Sequence, residues 1–304
     1  MSSKYSTPIL FLIFNRPDTT EKVFQRIREV QPVHLYISAD GPRLNRPAEI
    51  QNCRQARRII EKIDWDCDLH THFSETNLGC RMGVSSGIDW FFSQVPEGII
   101  LEDDCLPEIS FFHFCETLLA HYRENPRVMQ IGGANYREHS DTRHGSYYFS
   151  RLTQIWGWAT WKRAWALYDV DIKTYGTALN QHVPLNFFPN PSMRRFWKKK
   201  FDMAYRHQID TWDIQWQFTM SLHDGLAALP RVNLVSNIGF NENATHTTDN
   251  FHTLANRKTS PLDTLIHPPT VAPDARMDTY VFRKFINPNK IKKLWILIRR
   301  MLTR

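Results

Sequence analysis

The chain predicts an α/β fold with a mostly parallel central sheet. Short strand-like runs recur at Pro8–Phe14, His34–Ser38, Leu69–Phe73 and Gly98–Leu101. Stretches of helical periodicity separate them, which is the alternation of β-α-β units. The first run, Pro8-Ile-Leu-Phe-Leu-Ile-Phe14, is apolar throughout, as expected of a strand covered on both faces.

Taken in order, Asn15-Arg16-Pro17-Asp18 ends the first strand. Asp18 or Thr19 is expected to cap a helix running to about Val30, with Val23, Phe24 and Ile27 on one face. The second strand stops at Ala39-Asp40-Gly41-Pro42, and helical periodicity returns over Ala48–Ile63. After the third strand, Asn77-Leu-Gly79 turns into a helix over Arg81–Phe92. The fourth strand ends in Glu102-Asp103-Asp104, then Cys105-Leu-Pro107. A helix follows at Phe111–Arg123, a strand at Val128–Gly133, a basic helix at Met193–Gln208, and a strand region at Leu226–Val235.

The three consecutive acids are the focus of the chain. Open α/β sheets place ligands outside the carboxyl ends of their strands, where the acids and the tips at Asn15, Asp40 and Arg81 all fall. Adjacent carboxylates repel one another and are costly to bury without a cation. Along an extended chain Glu102 and Asp104 point one way and Asp103 the other. A hard divalent ion uses one or two such carboxylates and takes its remaining oxygens from water and phosphate. The plain alternative is a solvated acidic turn. No G-x-G-x-x-G follows the first strand and no G-x-x-x-x-G-K-[ST] occurs, which disfavours dinucleotide and P-loop enzymes.

Seven of the ten tryptophans are Trp156, Trp158, Trp161, Trp165, Trp197, Trp212 and Trp216. They are either stacking platforms for sugar rings or core anchors. Asp210 and Asp213 are three apart and would share a face if both were helical, one as a cap and one as a general base. His246 lies in a long polar segment and is a candidate metal ligand or phosphate donor.

Composition sets further bounds. The 304 residues are 42% hydrophobic and 23% charged, ordinary for a globular protein. Five cysteines, odd in number and without a C-x-x-C pair, point to reduced thiols and a cytoplasmic protein. The N-terminal residues lack a signal-peptide pattern. Residues 288–304 carry +6 of the net +7, with Ile291, Leu294, Trp295, Ile298, Met301 and Leu302 at helical spacing. This reads as an in-plane anchor on an anionic membrane surface, and not as a nucleic-acid-binding domain. The basic helix at Met193–Gln208 is a solvated face or a site for an anionic acceptor or lipid headgroup.

The pieces ILFLIFNRP, YISADG, TNLGCRMG, ILEDDCLPEISFF, WGWATWKRAW and TWDIQW together resemble the GT-A glycosyltransferases. The nearest likeness is to N-acetylglucosaminyltransferase I and to bacterial transferases of surface-polysaccharide synthesis. The resemblance covers roughly residues 8–246. It implies a GT-A, Rossmann-like fold divided into a donor half (1–135), an acceptor and catalytic-base half (136–280) and a basic tail (281–304). It implies a sugar transfer, with inversion, from a nucleotide diphosphate, UDP favoured, to a glycan or lipid-linked glycan. It places Asn15, Arg16, Asp40, Arg81, Glu102 and Asp103 on the donor and Asp104 on Mn²⁺ or Mg²⁺ as its one direct protein ligand; Trp156 and Trp158 as acceptor platforms and His246 as a further metal candidate come from the residues themselves. Asp213 matches the base of the family's WDDW segment, but Ile214 replaces its second acid, so Asp210 stays a candidate. A sugar-nucleotide nucleotidyltransferase and a non-enzymatic glycan-binding scaffold are the competing readings.

Overall fold

In the computed structural model, residues 5–137, 145–181, 183–239 and 254–288 are described. His246 and residues 289–304 lie outside them. The first strand, β1 (Ile9–Ile13), is buried along its whole length. Ile9, Phe11 and Ile13 join the core on one face of the sheet, and Leu10 and Leu12 the core on the other. Helix α1 (Pro17–Val30) starts directly after it, with Pro17 in the first turn and no side-chain cap. Asp18 and Thr19 therefore lie inside the helix instead of capping it. The fixed φ of proline suits this position, where its missing N–H costs nothing.

The chain continues through β2 (His34–Ala39), α2 (Pro47–Arg57), β3 (Asp68–Phe73), α3 (Gly79–Gln94) and β4 (Glu97–Glu102). Next come β5 (Cys105–Pro107), α4 (Ile109–Tyr122) and β6 (Val128–Gly132). Strands β7 (Tyr147–Ser150) and β8 (Trp158–Trp161) follow, then the short helices α5 (Lys162–Trp165), α6 (Tyr175–Asn180) and α7 (Val183–Asn186). The remainder is α8 (Pro191–Tyr205), α9 (Asp213–Leu222), β9 (Leu226–Pro230), β10 (Val235–Asn237), α10 (Ala275–Val281) and a wide helical turn at Phe282–Ile286.

Eight strands form one sheet in the order β3-β2-β1-β4-β8-β6-β9-β7, and β5 and β10 form a separate two-stranded ribbon. Strands β1 to β4 are mutually parallel, as are β6 and β9. The antiparallel pairings are those of β8 with β4 and β6, and of β7 with β9. Six strands thus run one way and two the other, which is the mostly parallel α/β sheet that the alternation predicts. Strands from both halves of the chain share this sheet.

Strand β8 enters between β4 and β6. Its alternation Trp-Ala-Thr-Trp sends Trp158 to one core and Ala159 and Trp161 to the other. The core of Ala159 and Trp161 also holds α1 and α4 (Val23, Phe24, Phe112, Leu119), and that of Trp158 holds Phe91 and Ile88 of α3. Among the described residues no helix is long and apolar enough to cross a membrane.

Candidate active site

The C-terminal tips of β1, β2 and β4 converge on a cleft of roughly 280 Å³. Its apolar side includes Leu12, Phe14 and Val84, and its polar side includes Arg16, Asp40, Arg43, Glu102, Asp103 and Asp210. A mostly apolar hollow with few convergent polar groups is the usual form of a small-molecule site.

Glu102 is the last residue of β4, and Asp103 and Asp104 make the turn into β5. The turn is held from three sides. The Phe14 N–H donates to Asp103 Oδ2 at 3.0 Å. The Ile238 N–H donates to the Asp104 carbonyl at 2.8 Å, and Asn237 Nδ2 approaches Asp104 Oδ1 at 3.4 Å. Asn237 stands opposite Cys105 in the β5–β10 ribbon, so that ribbon fixes the height of Asp104 at the rim. Gly239 passes so close to Asp104 Oδ2 that a Cβ there would overlap it.

Arg16 supplies the counter-charge. Its Nη1 lies 2.5 Å from Asp104 Oδ2 and 3.3 Å from Asp103 Oδ1, with the guanidinium side chain 15% exposed. Burial opposes its charge, but Asp103 and Asp104 outweigh that and raise its pKa. One guanidinium does not neutralise three acids. Burial, followed by the charges of Asp104 and Asp103, pushes Glu102 up to about 8. Asp103 rises to about 6, again through burial, although Arg16 pulls it down.

Among the described residues no group of three or more His, Cys, Asp or Glu side chains is arranged to hold a metal ion by itself. The donor set is instead a row of carboxylates with unbalanced negative charge at a cleft mouth. That chemistry fits a hard, oxygen-seeking divalent ion that keeps most of its other ligands from phosphate and water. Glu102 and Asp103 line the cleft, whereas Asp104 is outside that lining and its Oδ2 meets Arg16.

The other expected site residues are placed as follows. Asp40 accepts from the N–H groups of Gly41 and Leu78, each at 2.8 Å, from Asn77 Nδ2 at 2.8 Å, and from the Gly79 N–H at 3.2 Å. Its carboxylate ties the Asn77-Leu78-Gly79 turn to β2 while still lining the cleft. Burial raises its pKa against those hydrogen bonds. Asn15 Nδ2 donates to Glu49 Oε1 at 3.0 Å. Arg81 turns to His207 and Asp171, with Nη1 at 2.7 Å from His207 Nδ1 and 3.2 Å from Asp171 Oδ1.

Asp210 and Asp213 do not share a helix, because α9 begins at Asp213 and Asp210 precedes it. Asp210 instead caps a different helix, accepting from the N–H groups of Cys80 at 3.0 Å and Arg81 at 2.9 Å in the first turn of α3. Gly79 makes this possible. Its φ is +79°, and a Cβ would come within 2.7 Å of the Asp210 carboxylate. Asp213 accepts a hydrogen bond from Thr211 Oγ1 and lies near enough to contribute to the raised pKa of Glu102.

Trp158 is a correction. It is fully buried, stacked on Trp212 at 5.5 Å and tilted against Trp216 at 5.7 Å, and it offers no ring face to an acceptor. Burying so large an aromatic surface outweighed any use at the surface. Trp156 is half-buried and meets Tyr136 edge-on at 5.4 Å. Trp212 and Trp216, on which Trp158 packs, stand either side of Asp213 in sequence. Trp216 Nε1 also donates to Gln130 Oε1 of β6 at 2.9 Å.

Sequence reasoning missed Arg43 and Glu49. Glu49 is only 4% exposed and accepts from Arg43 Nε at 2.9 Å and from Asn15. Arg43 reaches the cleft as a second cation beside Arg16, with its guanidinium 5.6 Å from the Phe14 ring centre. The one local signal was an acid in the first turn of α2, where acids are ordinary.

The sequence matches no protein-family model. It matches no curated protein either. Solved structures overlay it loosely. Residues 1–349 of TarS from S. aureus are 10% identical at a TM-score of 0.39, over 73% of this chain and 57% of that one. This chain thus spans little more than half of that fragment. Mouse xyloside xylosyltransferase 1 is 10% identical at a TM-score of 0.35, over 71% and 81% of the two chains. The 4-diphosphocytidyl-2C-methyl-D-erythritol synthase of Anaerococcus prevotii is 9% identical at 0.38, over 73% and 88%.

Proposed function

We propose that the protein is a metal-dependent, inverting glycosyltransferase that uses a nucleotide-diphosphate sugar, UDP-linked by resemblance, and a glycan or lipid-linked glycan acceptor of bacterial surface-polysaccharide synthesis. One observation carries this reading: an under-neutralised row of three acids stands at the end of the central strand β4, at the mouth of a cleft lined by Arg16 and Arg43.

The apolar wall of Leu12, Phe14 and Val84 suits a nucleobase, and Asp40 beside it would accept a base N–H by giving up one of its four present donors. Arg16 and Arg43 supply positive charge for a diphosphate, and Arg81 would reach it by leaving Asp171 and His207. Glu102 and Asp103, which line the cleft, would meet donor-sugar and ribose hydroxyls. Asp104 would hold Mn²⁺ or Mg²⁺, which when bound offsets the charge that develops on the leaving diphosphate. Asp213 is the proposed general base. Its carboxylate takes the acceptor hydroxyl's proton as that oxygen bonds to the anomeric carbon, and the electron pair of the breaking C1–O bond leaves with the diphosphate. Asp210, with both oxygens engaged by α3, is the lesser candidate.

The nucleotidyltransferase alternative is disfavoured, since only Phe14-Asn15-Arg16 joins β1 to α1 and no glycine-rich loop is present. Calorimetric titration of UDP- and GDP-sugars with and without Mn²⁺ tests the proposal. Metal-dependent binding of one nucleotide is expected, abolished in a folded Asp104→Ala variant. Absence of binding by every nucleotide with metal present would overturn the reading and favour the scaffold.

A further inference from the structure

A second feature stands on α8, separate from the cleft. Ser192, Arg195, Phe196, Lys199, Lys200 and Met203 fall at helical spacing and form one stripe. With Asn287 they line an open groove of about 550 Å³. Phe196 forms part of its wall and packs edge-on against Phe282 at 5.4 Å, which seats the Phe282–Ile286 turn beside the stripe. The cations are unbalanced. Among the described residues, Lys198 of this helix pairs with Asp202 at 2.9 Å and Arg194 donates to the Phe188 carbonyl, but Arg195, Lys199 and Lys200 reach no carboxylate. Lys200 Nζ instead lies 5.8 Å from the Phe196 ring centre.

We propose that this groove is a docking surface for the phosphate headgroups of an anionic lipid membrane. Three clustered cations without acidic partners match a negative surface, to which each basic residue nearby adds attraction. Phe196 and Met203 sit among them as apolar side chains suited to the headgroup boundary. The groove also ends at Asn287, from which the chain runs directly into the stretch that holds Lys290, Lys292, Lys293, Arg299, Arg300 and Arg304. Soluble phosphate or a soluble polyanion would not need the apolar pair.

The test is sedimentation of the full-length protein with vesicles of phosphatidylcholine alone and with vesicles of equal parts phosphatidylcholine and phosphatidylglycerol. Wild type should bind only the anionic vesicles. The triple variant Arg195→Gln, Lys199→Gln, Lys200→Gln should bind them at least tenfold more weakly. A charge-retaining variant, Arg195→Lys, Lys199→Arg, Lys200→Arg, should bind like wild type. Unchanged binding by the glutamine variant would overturn the proposal, as would equal binding to neutral vesicles. Binding of wild type to polyphosphate but to no vesicle would overturn it too. Nucleotide titration of the glutamine variant checks folding and is read independently, so failure at the groove and failure at the donor cleft are distinguishable.

Discussion

Arg16 is the residue on which the acidic turn depends. It is the resident counter-ion of Asp103 and Asp104, and its own position follows from Pro17 starting α1 one residue later. Removing one member of a largely buried ion pair strands the other and costs about 3 kcal/mol. Arg16→Ala should therefore lower the urea midpoint by a corresponding amount, measured without metal or nucleotide. A loss below about 0.5 kcal/mol, the range of ordinary surface substitutions, would mean that the acids are already solvated. Asp213 belongs to the same scale. Positioned general bases contribute roughly 10²–10⁴ in rate. Asp213→Asn should reduce kcat by at least about a hundredfold while leaving calorimetric nucleotide binding unchanged, and retention of kcat would move the base role to Asp210.

At the scale of elements, the site is built by joints between distant segments. The turn before α9 docks on the start of α3 through Asp210, and the β5–β10 ribbon holds Asp104. Loss of an N-terminal cap typically costs about 1 kcal/mol. Asp210→Ala should lower thermal stability by that order, with faster hydrogen exchange at the Cys80 and Arg81 amides. Unchanged exchange there would show that the cap is not formed in solution. The β-strands show why such joints were hard to foresee. The run at Gly98–Leu101 was legible because an apolar stretch ending in acids has few other meanings. Strand β8 was not, because its place between β4 and β6 depends on partners about 60 and 30 residues earlier, a distance local periodicity does not report.

For the whole molecule, α10 is tied to the far edge of the sheet. Asp278 of α10 accepts from Ser150 Oγ at 2.6 Å and from the Arg151 N–H at 3.3 Å, beside β7. Burial pushes its carboxyl up to about 6, against those hydrogen bonds, whereas an unfolded aspartate titrates near 3.9. Between these values the folded protein holds a proton that the unfolded chain has released. The contribution of this group to stability is therefore fully present at low pH, declines as pH rises from about 4 to about 6, and stays lost above. Asp278→Asn should remove a decline on the order of 2–3 kcal/mol from that window, read as urea midpoints across the pH series. A decline of undiminished size in the variant would assign it to other groups.

Local chemistry by itself determined the alternating elements, the parallel first half of the sheet and the collection of Arg16, Asp40 and Glu102–Asp104 at one edge. Apolar runs, helical spacing and polar strand ends are written within a few residues of one another, and the parallel rule does the rest. Tertiary structure alone decided what each polar group touches. It placed Trp158 in the core, turned Arg81 away from the cleft, brought Arg43 into it, and gave Asp210 to a helix 130 residues earlier. Those outcomes depend on charges and donors meeting across the fold, and on burial penalising every one left without a partner.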